Sequence, residues 1–223
     1  GGSVRVGPRQ MPRIHNMLRE CCSILDMSEP ELYVRQGDVN AFTSGHNNPY
    51  IVLNTGLLEL MTDDEVMSVV AHELGHIKCG HVLYKSMARA IAPFIEMIGK
   101  ATLGLGSLLG IGIEAAFLTW DRRSELSADR AALLASQHVP TCMSMLMKLA
   151  GGTPGLSDQL SLEEFLVQAR MYNEGIDQST LDKLYRFVIN IKMTHPVPVE
   201  RARMLSEWAD GHEYKNLMSS YST

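Results

Sequence analysis

The stretch Thr62–His76, TDDEVMSVVAHELGH, decides how the rest of this sequence is interpreted. Its first four residues have the form S/T-x-x-E, in which the first side chain caps a helix and the fourth reaches back to the cap. Apolar residues at helical spacing follow, so the sequence predicts a helix that begins near Thr62 and continues to about Met87. The motif HELGH lies inside this helix, from His72 to His76.

The two histidines of this motif have the spacing of a metal site. Four residues apart on a helix, they project from one face about 6 Å apart along the axis, so both imidazoles reach one ion and Glu73 lies beside it. This HExxH arrangement is typical of zinc hydrolases. We therefore expect His72 and His76 to bind one zinc ion and Glu73 to act in catalysis.

Catalytic zinc usually takes three protein ligands, so a third ligand is expected from another part of the chain. Cys79 lies seven residues after His72, about 10 Å along the axis, and His81 points to the opposite side, so both are interpreted as structural. A later segment, SELSAD, offers Glu125 and Asp129 on one helix face. Glu125 is placed to bind the metal and Asp129 to accept a hydrogen bond from a ligand histidine. The alternative is that both pair with neighbouring arginines on a solvated helix.

The surrounding sequence predicts an α+β fold in which helices predominate, in a single domain over 1–223 with an N-terminal arm at 1–10. Segments rich in β-forming residues indicate a small sheet with one hairpin, at 31–36, 40–43 and 50–54. Apolar periodicity predicts helices at 11–27, from about 115 to 137, at 141–150, 162–172 and 180–193, and after 198.

Residues 91–119 form a hydrophobic, glycine-rich insert. Its longest uncharged run, Ala101–Ile113, has thirteen residues and four glycines. A membrane-spanning helix needs about 20 predominantly apolar residues, and each glycine weakens a helix by roughly 1 kcal/mol relative to alanine. The insert is therefore either a buried or hairpin-like element or a segment that touches a membrane without crossing it.

Composition excludes several classes of function. Hydrophobic residues at 45% and charged residues at 20% are ordinary globular values, which rule out a disordered chain or a fibrous rod. The formal net charge of −5 gives no basic footprint for nucleic acid. The four cysteines form no CxxC pair and no even spacing, which indicates a reducing compartment.

Together the motifs resemble the HtpX-like and CaaX prenyl endoprotease group of gluzincin metallopeptidases. HELGH is followed about fifty residues later by ELSAD at 125–129, similar to that group's ExxAD signature. NAF at 40–42 resembles its NAF strand, GLL at 56–58 its segment before the active helix, and THP at 194–196 with Arg201 its late HP motif. More loosely, the LYVRQ segment is similar to the cyanobacterial and plastid branch.

The resemblance implies a zincin-like metallopeptidase domain in which one zinc ion is bound by His72, His76 and Glu125. Zinc lowers the pKa of a bound water to about 7 and polarises a peptide carbonyl. Glu73 is implied as the general base, and His195 as a hydrogen-bond donor to the tetrahedral oxyanion.

The same resemblance implies roles for residues around the ion. Arg201 is expected to pair with an active-site carboxylate, for which Asp129 is the natural candidate. Asn40, Ala41 and Phe42 are expected to present an edge strand, to which an extended substrate adds by backbone hydrogen bonds.

The expected function is a zinc endopeptidase that cuts unfolded or damaged polypeptides in protein quality control. Related members carry complete transmembrane helices, whereas this sequence has no segment of that length, so we expect a cytoplasmic or plastid-stromal protein with peripheral membrane contact. One alternative is a chaperone-like protein that holds extended chains without cutting them, although Glu73 argues against it because structural zinc needs no base. The other is a latent enzyme whose fourth zinc position is filled by His195 or by a loop from 101–113.

Overall fold

The computed structural model describes residues 2–45, 47–83, 86–87, 93–94, 97, 105–174 and 197–221. A small sheet packs against helices that make up most of the described chain, so the predicted α+β fold with predominant helix is confirmed. The strands are β1 (Ser3–Arg5), β2 (Glu31–Arg35), β3 (Ala41–Ser44) and β4 (Tyr50–Asn54). The helices are α1 (Pro12–Ile24), α2 (Thr55–Leu60), α3 (Asp63–Lys78), α4 (Leu105–Ser136), α5 (Val139–Gly151), α6 (Leu162–Glu174), α7 (Pro198–Asp210) and α8 (His212–Tyr221).

The sheet has the strand order β1-β2-β4-β3. The predicted hairpin is present, because β3 runs antiparallel to β4 with Phe42 opposite Val52. β2 is parallel to β4, and β1, which the sequence did not predict, adds antiparallel to β2. β3 is thus at one edge of the described sheet, next to α3.

The start of α3 follows the predicted cap. The Thr62 hydroxyl accepts a hydrogen bond from the Glu65 backbone N–H, and Glu65 Oε2 accepts one from the Thr62 backbone N–H at 2.8 Å. The predicted end at Met87 was wrong, because α3 ends at Lys78. Gly80 has φ of 69°, a left-handed conformation that stops a helix and redirects the chain.

α3 and α4 approach each other unusually closely at Gly75. A Cβ on Gly75 would lie 2.9 Å from the Ala128 Cα and 2.9 Å from the Ala131 Cβ, both on α4. Glycine at this position therefore allows near backbone-to-backbone packing of the two helices. This contact brings the face of α4 that carries Glu125 against the face of α3 that carries His72.

A buried ion pair joins the start of α3 to α5. Lys148 Nζ lies 2.7 Å from Glu65 Oε2, and the Ser144 hydroxyl donates to Glu65 Oε1 at 2.6 Å. Burial alone would raise the pKa of Glu65, but the hydrogen bonds from Lys148 and Ser144 outweigh it and hold the pKa below its ordinary value. The pair fixes both the cap of α3 and the position of α5.

The hydrophobic insert is only partly described. α4 begins at Leu105 rather than near residue 115, so the later part of the insert is helical despite its glycines. In the described parts of the chain, none of the helices combines the length and the apolar character that crossing a membrane requires. The helix predicted at 180–193 lies outside the described residues.

Candidate metal centre

Three buried side chains from two helices converge between α3 and α4. His72 Nε2 and His76 Nε2 are 3.2 Å apart, Glu125 Oε2 is 3.5 Å from His72 Nε2, and Glu125 Oε1 is 3.4 Å from His76 Nε2. Among the described residues, these three form the one group of histidine, cysteine and acidic side chains that could hold a metal ion.

The group fits zinc in both chemistry and spacing. Two imidazole nitrogens and one carboxylate are a common ligand set of catalytic zinc, and a tetrahedral ion with bonds of about 2.0–2.1 Å separates its ligand atoms by about 3.3 Å. The two imidazole nitrogens are 3.2 Å apart, close to that value, and each lies 3.4 or 3.5 Å from one of the two oxygens of Glu125.

Asp129 sets the orientation of His72. Its Oδ1 lies 3.0 Å from His72 Nδ1. Because an ionised carboxylate only accepts hydrogen bonds, Nδ1 carries the proton and Nε2 turns towards Glu125. This arrangement is favourable when a positive charge lies between Nε2 and the carboxylate, either as a proton on Nε2 or as a metal ion.

Arg201 of α7 holds Asp129 in turn. Its Nε donates to Asp129 Oδ2 at 2.8 Å and its Nη2 to Oδ1, while Nη1 lies 3.4 Å from Glu125 Oε2. Burial by itself would raise the pKa of Asp129. The neighbouring Arg201 and His72 lower it by more than burial raises it, so the pKa of Asp129 lies below its usual range. Asp129 therefore stays ionised in this buried position.

These carboxylates also act on His72. Burial lowers the pKa of this histidine, but its hydrogen bonds to Asp129 and Glu125 more than compensate and raise the pKa to about 9. In the metal-free protein a proton on His72 balances the negative charge of the group. A metal ion bound at His72 Nε2 would have to displace that proton.

Glu73 contacts the sheet through a residue that the sequence did not single out. The Thr43 hydroxyl, on β3, donates to Glu73 Oε2 at 2.6 Å and lies 3.2 Å from the Glu73 backbone oxygen. No local pattern indicated this contact, because it joins residues thirty positions apart.

His81 contradicts the expectation that it points away from the metal ligands. It is buried, its Nδ1 lies 3.0 Å from His76 Nδ1, and its ring packs edge-on against Trp120. The expectation was wrong because it assumed one continuous helix. Gly80, whose left-handed backbone ends α3, was the signal in the sequence for this turn.

The remaining expected site residues fall in three places. Asn40 directly precedes β3, and Ala41 and Phe42 are the first two residues of that strand. Cys79 is exposed at the end of α3 and is not among the residues of the candidate metal group. His195 lies outside the described residues.

Comparisons with known proteins agree with the motifs. The family model described as Peptidase family M48 matches residues 8–209. The chain is 41% identical over 223 residues to the plastoglobule-localized metallopeptidase 48, chloroplastic, of Arabidopsis thaliana, with 98% of this chain and 63% of that protein covered. It is 25% identical over 222 residues to a protease HtpX homolog of Persephonella marina, with 90% and 76% covered.

A third relative, protease HtpX homolog 2 of Methanosarcina mazei, is 27% identical over 173 residues, with 67% of this chain and 59% of the relative covered. The chain thus spans about three fifths of the length of the Arabidopsis and Methanosarcina proteins. The resemblance found from HELGH, ELSAD and the NAF strand is confirmed by these matches. Since the family model extends over most of the sequence, including His72, Glu125 and Arg201, the chain belongs to peptidase family M48.

Proposed function

We propose that this chain is a zinc-dependent endopeptidase that hydrolyses peptide bonds of unfolded or damaged proteins. The observation that carries the proposal is a buried glutamate, Glu73, beside a group of three side chains that fits zinc. A structural zinc site usually has four protein ligands and needs no base. Among the described residues the group contains three, His72, His76 and Glu125, as catalytic zinc sites do.

The side chains divide the chemistry among them. Zinc, held by His72, His76 and Glu125, supplies Lewis acidity that acidifies water and polarises a carbonyl. Glu73 accepts a proton from the attacking water and passes it to the leaving amine. Asp129 and Arg201 keep the ligands in place. His195 remains a prediction as the donor that stabilises the oxyanion.

The edge strand β3 supports the choice of extended polypeptides as substrates. β3 pairs with β4 along one side, and no described strand pairs with its other side. Because α3 lies next to this strand, an extended chain that adds to Asn40, Ala41 and Phe42 would run past Glu73. Backbone pairing depends little on side chains, so this mode of binding favours chains that have lost their own structure.

We also propose a plastid location with peripheral membrane contact. The location rests on the relative named as plastoglobule-localized and chloroplastic. The membrane contact rests on large apolar side chains in the insert, because Phe94, Met97 and Ile113 are 62%, 59% and 52% exposed. Flotation with liposomes tests it: the chain should float, and deletion of 101–113 should reduce the floating fraction. Unchanged flotation would show that the insert makes no lipid contact.

The activity is tested with one polypeptide in two states. Reduced, alkylated α-lactalbumin and the native disulfide-bonded protein are each incubated with the zinc-loaded chain or its Glu73→Gln variant. We expect the wild type to cut the unfolded form well above the native one. Loss of the base should slow cleavage roughly a hundredfold to ten-thousandfold. Zinc content, measured in parallel, should be equal.

Two other results would change the conclusion. If neither protein cuts although both hold zinc, the chain is latent or chaperone-like. Stable binding of the unfolded form without cleavage would then favour the chaperone-like alternative. If Glu73→Gln cuts as fast as the wild type, Glu73 is not the base.

A further inference from the structure

The hydroxyl of Thr43 makes a short hydrogen bond to the carboxylate of Glu73. The Oγ1–Oε2 distance of 2.6 Å lies in the range of hydrogen bonds from a hydroxyl to an ionised oxygen. The Glu73 backbone oxygen, at 3.2 Å, is the more distant acceptor. A hydroxyl has one proton, so the nearer and charged carboxylate oxygen receives it.

We propose that Thr43 is a positioning residue for the general base. It holds the Glu73 side chain in one rotamer through the hydrogen bond to Oε2. The proposal rests on the role proposed for Glu73. A glutamate has several rotatable bonds, and a base that is misplaced by about 1 Å can lose about a hundredfold in rate, so an external support has a direct effect on catalysis.

The support comes from the strand that is proposed to bind substrate. Ala41 and Thr43 are two residues apart, so their side chains lie on the same face of β3. The Thr43 backbone is fixed by the pairing of β3 with β4, where Thr43 is opposite Ile51. One strand thus sets both the position of an added peptide and the position of the base.

The proton balance of the reaction leaves Thr43 unchanged. A water proton moves to the Glu73 carboxylate while the water oxygen bonds to the carbonyl carbon. The C–N bond then breaks, and the leaving amine takes the proton from Glu73. Thr43 keeps its proton throughout, so it acts through Glu73 and is not itself a catalytic residue.

The first test compares two substitutions of one residue. Thr43→Val has the same shape without the hydroxyl, and Thr43→Ser keeps the hydroxyl without the methyl group. With the zinc-loaded protein and an unstructured substrate, Thr43→Val should lower kcat about tenfold with little change in KM, the effect of losing one hydrogen bond to a charged group. Thr43→Ser should keep kcat within about twofold of the wild type.

Thr141→Val is the matched control. The Thr141 hydroxyl bonds to the ring of His138 at the start of α5, outside the site, so this variant should retain the wild-type kcat. Equal losses of kcat in Thr43→Val and Thr43→Ser would assign the effect to packing and overturn the proposal. A wild-type kcat in Thr43→Val would also overturn it.

A second test uses no catalysis. In the zinc-free protein, urea unfolding of Thr43→Val, Glu73→Leu and the double variant forms a double-mutant cycle. The proposed bond predicts that the double variant is less destabilised than the sum of the single ones, whereas additive effects would overturn it. Should Glu73→Gln retain activity, the proposed base fails. Should Glu73→Gln be inactive while Thr43→Val is normal, the role of Thr43 alone fails.

Discussion

Arg201 and Asp129 form a two-point ion pair that ties α7 to α4. Both side chains are buried, and the pair consists of Nε to Oδ2 at 2.8 Å and Nη2 to Oδ1. Asp129 in turn receives the Nδ1–H of His72. Through Asp129, Arg201 in the second half of the sequence therefore helps to orient His72, a candidate metal ligand in the first half.

We predict that Arg201→Lys weakens zinc binding about tenfold to a hundredfold, the usual effect of losing an outer partner of a metal ligand. Lysine keeps the charge but loses the two-point geometry. Competition with a chromophoric chelator measures the affinity. Arg203→Lys, on the same helix and paired with Glu207, is the control and should bind zinc as the wild type does. If the wild type, Arg201→Lys and Arg203→Lys bind zinc equally well, Arg201 does not support the metal site.

His81→Phe should also weaken zinc binding. When His76 binds zinc through Nε2, its Nδ1 carries a proton, and His81 Nδ1 at 3.0 Å is the acceptor. Phenylalanine keeps the ring against Trp120 but cannot accept that hydrogen bond. We expect about a tenfold loss in affinity, measured by the same competition. His15→Phe on α1 serves as the control, and a loss of similar size there would show that the effect is not specific.

Gly75→Ala should destabilise the protein by about 1–3 kcal/mol, although alanine is the better helix former. The added methyl group would meet the Ala128 Cα at 2.9 Å and push α4 away, taking Glu125 with it. Urea unfolding and zinc titration should both show a loss. Gly151→Ala is the matched control, because nothing lies within 4 Å of its added Cβ. A Gly75→Ala protein as stable as the wild type would show that the helices separate at no cost.

The Glu65–Lys148 pair predicts a pH-dependent stability. The pKa of Glu65 is lowered in the folded protein, so its contribution is present above the unfolded value of 4.5 and is lost as the pH falls through the folded pKa. Glu65→Gln should cost about 2 kcal/mol at neutral pH, and the difference from wild type should shrink in acid.

Urea unfolding in EDTA measures this difference without interference from zinc. Glu163→Gln, on the exposed start of α6, is the control and should follow the wild type at every pH. A Glu65→Gln difference that stays constant with pH would show that the effect arises from shape rather than charge.

Features set by local helix geometry could be predicted from the sequence. The cap at Thr62, the HELGH spacing and the pair Glu125 and Asp129 all depend on residues three or four positions apart. Such residues lie on one helix face whatever surrounds them. The α+β class followed from helical periodicity together with short segments rich in β-forming residues.

Features set by tertiary contacts could not be predicted in this way. β1 is a three-residue strand that exists because β2 offers it an edge. The hydroxyl of Thr43 reaches Glu73 only because β3 packs beside α3. The position of His81 was predicted wrongly because a glycine can either continue a helix or end it. At Gly80 the outcome depends on the tertiary contacts of the residues that follow, such as that of His81 with Trp120.

The shortness of β3 has a consequence for which substrates would be cut. Four residues of extended chain span roughly 13 Å, and a pairing of that length is weak by itself. A substrate segment that is still folded would rarely remain paired with β3 long enough to be cut. The cleavage rate would then follow the local unfolding equilibrium of each segment in the substrate. Under the proposed function, cleavage would depend mainly on the local stability of the substrate and only secondarily on its sequence.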